Sequence, residues 1–163
     1  MAILHRTHAN FVALLKGIAT SNIQINAGTV ANSFFSSAEE ATKKMASLAS
    51  LVLIVTSIAP TITGQEGNTW RTWRIAFKVL KKHEKEDYAG IDANVSQCLE
   101  IANDILSWLI HHRLNQSSDT FDFDENTFQA REDRVAFDAH SGCEISLIIS
   151  TSTFTNFDAA KWQ

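Results

Sequence analysis

The chain has 163 residues, enough for one compact domain and too few for two ordinary ones. With 45% hydrophobic and 20% charged residues, six Gly and one Pro, it is not a disordered, collagen-like or low-complexity sequence. A formal charge of -4 leaves no cationic excess for phosphates, which argues against nucleic-acid binding.

From Met1 to His8 no cationic segment leads into an apolar run, so a secretory signal is not expected and the protein is read as intracellular. Phe11, Leu14, Leu15 and Ile18 make one helical stripe and predict a first helix from about Thr7 to Thr20. The Ser-, Thr- and Asn-rich stretch from Asn22 to Phe35, with Gly28, reads as a loop. Ser37-Ala-Glu-Glu40 is a capping-box pattern that opens a second helix reaching about Ala49. Leu48 to Ile62 is apolar but interrupted, and too short to span a membrane. Within it, Leu51 to Ile58 is a β-branched run typical of a strand covered on both faces, expected to end near Ala59 because Pro60 removes a ladder donor.

Between Trp70 and Lys82 the pattern alternates, with Trp73, Ile75, Phe77 and Val79 on one face and Thr72, Arg74, Ala76 and Lys78 on the other. Gly64 and Gly67 supply turn chemistry, so the two strands are expected to form an antiparallel hairpin with a longer loop. The mixed-charge run Lys81 to Asp87 reads as a solvated connection. Asp92 can cap a long helix, running to about Leu114, through Val95, Cys98, Leu99, Ala102, Ile105, Leu106 and Leu109. After an acidic loop, Arg131 to His140 is a predicted strand, Ser141-Gly142 a tight turn, and Cys143 to Phe154 a closing strand with period two. The expected class is α+β, a single domain with an antiparallel sheet of about four strands and three helices packed mainly on one face. Sheet edges left open need charge or a partner, which makes oligomerisation an expectation.

Asp122-Phe-Asp124-Glu-Asn126 begins like a calcium loop, but Thr127 stands where glycine is needed and Asp133 where glutamate is expected. His111-His112 point in different directions on a helix, and His5 and His8 lack a carboxylate at metal-site spacing, so no metal is expected. No nucleophile elbow, phosphate loop, zinc helix or dinucleotide fingerprint occurs, and neither catalysis nor a cofactor is expected. Cys98 and Cys143 read as reduced core residues, and the sequons at Asn94 and Asn115 as accidental. Trp70-Arg71-Thr-Trp73-Arg74 mixes aromatics with cations, and alternation puts the two tryptophans on opposite faces, one of them free to anchor an interface.

The succession of Asn10-Phe-Val-Ala-Leu-Leu-Lys, the Ser-Leu-Val-Leu-Ile strand, Cys98-Leu-Glu-Ile-Ala-Asn-Asp-Ile-Leu106, Ser141-Gly-Cys-Glu-Ile-Ser and the closing Phe157-Asp-Ala-Ala-Lys-Trp162 resembles small phage and prophage structural proteins of the tail-completion (tail-terminator) or neck type. The resemblance implies a non-catalytic subunit forming a ring at the head-tail junction, in contact with other virion proteins, present in the host cytoplasm during assembly and then in the virion. It implies no membrane and no specific nucleic-acid partner. Candidate contact residues are Trp70, Arg71, Arg74, Lys81, Lys82, Asp122, Asp124 and Trp162. Two other readings stand beside it: a cytosolic protein-binding adaptor, and a small enzyme whose site is assembled in space.

Overall fold

Apolar side chains three and four apart build the two long helices, and period-two runs build the strands they cover. The computed structural model describes residues 8–25, 33–48, 50–65, 68–115, 122–137 and 139–153. In chain order come α1 (His8–Ser21), β1 (Phe34–Phe35), α2 (Ala38–Lys44), a 3-10 turn at Met45–Ser47, β2 (Val52–Gln65), β3 (Asn68–Lys82), α3 (Tyr88–Asn115), β4 (Asp122–Phe123), a second 3-10 turn at Glu125–Thr127, β5 (Gln129–Ala136) and β6 (His140–Thr153). The class is α+β, with three helices and a mixed, mostly antiparallel sheet. Its order is β1-β2-β3-β6, and β4 and β5 follow one another along the far edge of β6. Only β1 runs parallel to its neighbour.

One face of the sheet carries the main core. Leu53 and Val55 of β2, Trp73, Ile75, Phe77 and Val79 of β3, and Cys143, Ile145, Leu147 and Ile149 of β6 are buried with Phe11, Leu15 and Ile18 of α1 and Cys98, Ile101, Ile105 and Leu109 of α3. Phe11 packs against Trp73 with ring centroids 4.8 Å apart. Among the described residues the opposite face is covered at one end, where Val52, Ile54 and Leu80 lie under Ala41 and Met45. Both faces of β2 are therefore buried there, as its unbroken apolar run predicts. The register slips between Val55 and Ser57, leaving Thr56 as the extra residue. This bulge keeps Ile58, opposite Ile75, on the same face as Val55.

Several expectations needed correction. The stretch read as a loop includes β1, whose Phe35 is fully buried; residues 26–32 of it lie outside the described residues. Strand β2 does not stop near Ala59: Pro60 sits opposite Trp73 and pairing runs on to Gln65 opposite Asn68, so Gly64 is in the strand. The missing donor is tolerated because β2 is an edge strand beyond Ile54 among the described residues. Lys81 and Lys82 belong to β3 and not to a connection. Asp87, not Asp92, caps α3, its Oδ1 accepting from Gly90 N at 2.9 Å. The second helix ends at Lys44 and tightens into a 3-10 turn. Its cap is a variant of the expected box: Ser37 Oγ accepts from Glu40 N, while the Glu40 carboxylate accepts from Ser36 N and Ser36 Oγ at 3.2 and 3.1 Å.

The last hairpin turns earlier than expected. Strand β5 runs from Gln129 to Ala136, and the turn lies at Phe137–Ala139, where both named residues have positive φ. Ser141 and Gly142 are buried inside β6, opposite Lys81 and Leu80. A side chain at Gly142 would strike the Val79 carbonyl and Cys98 Sγ, so glycine serves a close approach here and not a turn. Asn94 of α3 locks the same corner, its Nδ2 donating to Lys81 O, Lys82 O and Ser141 Oγ at 3.1–3.2 Å.

Candidate interaction surface

The structure scatters the residues singled out from sequence. Trp70 lies in β3 opposite Thr63 and Ser152, and Trp162 lies outside the described residues. Arg71 turns to the helix-covered side, its guanidinium 6.0 Å from the Trp73 ring centroid, a cation–π distance. Lys81 is tied down: its Nζ donates to Gln97 Oε1 at 3.2 Å, and Gln97 Nε2 donates to Gln24 Oε1 at 3.1 Å. Lys82 ends β3 opposite His140 and is exposed. Asp122 pairs with Ser150 in β4, and Asp124 caps the turn after it, accepting from Asn126 N and Nδ2 at 2.9 Å. Arg74 stands exposed on the sheet face that the helices leave open.

Arg74 has company there that the sequence did not reveal. Cross-strand register brings Arg74 beside Ile148, Ala76 beside Ser146 and Gln129, and Lys78 beside Glu144 and Arg131. Small residues along the middle row leave a shallow groove of about 400 Å³. Arg74, Arg131 and Glu144 give it charge, and Thr127, Ser146 and Ile148 line its bed. Thr127 Oγ1 accepts from Ile148 N at 3.0 Å, standing in for a strand partner between β4 and β5. At the covered end Lys78 Nζ meets Asp133 Oδ2 at 2.6 Å, with the ammonium 5.8 Å from the Phe137 ring. The signal for this cluster was the alternation of β5 and β6, legible only once their register is known.

The edges of the sheet differ in kind. Strand β2 carries no charged residue in 14, and among the described residues nothing pairs its outer edge from Val55 to Gln65. Strand β5 carries four charges in eight residues: Arg131, Glu132, Asp133 and Arg134. Asp133 is held by Lys78, and Arg134 bridges Asp92 of α3 and Glu132.

The thiols are not poised for chemistry. Burial pushes both Cys98 and Cys143 up to about 12, and Cys143 Sγ donates to Cys98 O at 3.2 Å. Among the described residues no three His, Cys, Asp or Glu side chains gather as metal ligands, and no helix is long and apolar enough to cross a membrane. What the open face and the bare edge offer is contact: hydrogen bonds, ion pairs and unpaired strand backbone. No protein-family model matches this chain, and no curated protein matches it.

Proposed function

We propose that the chain is a non-catalytic structural subunit of the tail-completion or neck type, encoded by a phage or prophage, that joins copies of itself into a ring at the head-tail junction. The observation that carries this reading is the outer edge of β2. A long strand without charge, whose outer edge no described residue pairs from Val55 to Gln65, is a template for another chain, and monomeric proteins guard such edges with lysines or cover them. Here the guards are the bulge at Thr56 and Pro60, and Ile62 beyond them is 63% exposed. The uncovered face, with Arg74 of β3 and Arg131 of β5, adds polar contacts across the sheet from that edge. The ring meets other virion proteins and needs no cofactor.

Light scattering across a concentration series tests the reading. The expected result is one species at a fixed multiple of the 18.1 kDa chain, seen as rings by electron microscopy. A monomer at every concentration overturns it and favours the adaptor reading, in which the edge takes a strand from a different protein.

A further inference from the structure

We propose that the open face of the sheet docks an extended peptide segment of a partner protein, one that carries a carboxylate and, about four residues along, a cation. The site is the shallow groove of about 400 Å³ across β3, β6 and β5. It lies away from the bare edge of β2 and does not depend on assembly through that edge.

The charges of this groove are left without each other. Glu144 stands in register between Lys78 of β3 and Arg131 of β5, and opposite charges facing across a sheet ordinarily pair. Here neither cation takes it. Lys78 Nζ goes to Asp133 Oδ2, and Arg131 Nη2 donates to Gln129 Oε1 at 3.1 Å, so the guanidinium reaches along its own strand toward the row of Ser146. Among the described residues the Glu144 carboxylate makes no hydrogen bond or ion pair, and the Arg74 guanidinium, beside Ile148, makes none either. The groove thus has Arg74 and the displaced Arg131 toward one end and Glu144 at the other, with the small Ala76 and Ser146 in the row between.

That arrangement selects its occupant by charge. A carboxylate set between two guanidiniums gains charge-assisted hydrogen bonds that planar forks are shaped to give. Glu144 repels a polyanion such as a nucleic acid and asks for a cation in its place. Spacing along the strand fixes the separation: Ile148, the neighbour of Arg74, is four residues from Glu144 in β6. An extended segment laid along β6 rises by the same ~3.3 Å per residue, so charges about four residues apart reach both ends. The groove is also open on one side. A small ion there stays largely wet, whereas an extended segment covers Ser146 and the half-buried Ile148 as well.

The test uses dye-labelled serine-glycine peptides read by fluorescence anisotropy at low salt, one with a glutamate and a lysine at that spacing, one with two glutamates and one with two lysines. The glutamate-lysine peptide is expected to bind the wild type most tightly, and Arg74→Ala or Arg131→Ala to weaken it about tenfold. Glu144→Lys is expected to reverse the preference in favour of the two-glutamate peptide. All three positions are surface ones, and urea unfolding verifies that each variant is folded. If no peptide binds the wild type, or if Glu144→Lys leaves the order of preference unchanged, the proposal is overturned. Inorganic phosphate is the competitor, and displacement of the peptide by phosphate at equal concentration overturns the peptide in favour of a simple anion site. Light scattering on the same samples reads assembly separately, so loss of the ring leaves the peptide site standing and loss of peptide binding leaves the ring.

Discussion

The two edges of one sheet are built on opposite plans. At β5, eight residues carry four charges, and those charges are engaged: Asp133 with Lys78, Arg134 with Asp92 and Glu132. An incoming strand would have to strip these groups of water and partners. At β2, 14 residues carry none, and two-residue β1 closes only Leu53 and Ile54. The closed and open lengths of β2 differ by what lies beside them. Where β1 and α2 cover it, the strand is buried on both faces; beyond the bulge Ala59 to Ile62 are exposed. Among the described residues, one edge is guarded by engaged charges and the other only by the bulge at Thr56 and by Pro60, and the proposed assembly uses the second.

The largest effect is expected from moving a guard to the bare edge. Thr61→Lys places an ammonium on exposed β2, opposite Thr72, where no core packing is disturbed. Association is expected to weaken at least tenfold by light scattering, while the urea midpoint shifts by no more than about 0.5 kcal/mol of stability. Unchanged association would erase the distinction between the edges.

A smaller effect is expected at the guarded edge. Lys78 and Asp133 keep only 22% and 16% of their side-chain surface, so Lys78→Met leaves a carboxylate poorly solvated and is expected to cost about 1–3 kcal/mol in urea unfolding. Lys78→Met with Asp133→Leu should recover much of that loss, since an apolar pair replaces the ions. No loss in the single variant would mean that the ion pair does not hold β5 in place.

The smallest effect concerns the closed length of β2. Hydrogen bonds from the Ser36 hydroxyl and amide, opposed by slight burial and helped by Lys44, hold the Glu40 carboxyl below its usual value of 4.5. A depressed carboxyl stabilises the fold above its unfolded pKa, and that contribution is lost as pH falls through the folded pKa. Below about pH 4.5 the Ser36 bonds weaken, so the amide protection factors at Phe35 and Ile54, taken relative to intrinsic exchange at each pH, should fall on acidification, less so in Glu40→Gln. Equal acid response in both proteins would remove Glu40 from the account.

Much of the architecture was legible because burial repeats. Trp73, Ile75, Phe77 and Val79 announced their shared face, and the stripe of α3 announced its packing, needing only Ile91 and Ile101 to complete it. Local signals misled where tertiary context gave a residue another task. Ser141-Gly142 looks like a turn, yet β3 extends to Lys82 and its partner must start at His140, which pushes the turn back to Phe137–Ala139. Pro60 looks like a stop, yet an edge strand needs no donor on its open side. Asp87 was hidden inside a charge run, although it is the residue that caps α3. Of the candidate contact set, Arg74 reached the open face, while Arg71 and Lys81 were drawn to Trp73 and Gln97. Arg131, Glu144 and Ser146 stayed unseen because a groove across three strands has no signature within any one of them.

The sequence by itself determined the α+β class, the existence of the long helix and main strands, and which side chains face the core, because the periods of 3.6 and 2 are local properties of the backbone. Only the tertiary structure decided which edge carries engaged charges and which does not, and where β6 begins. Those depend on register and on the rotation of one element against another, and a residue's neighbours across a sheet are fixed by pairing and not by position in the chain.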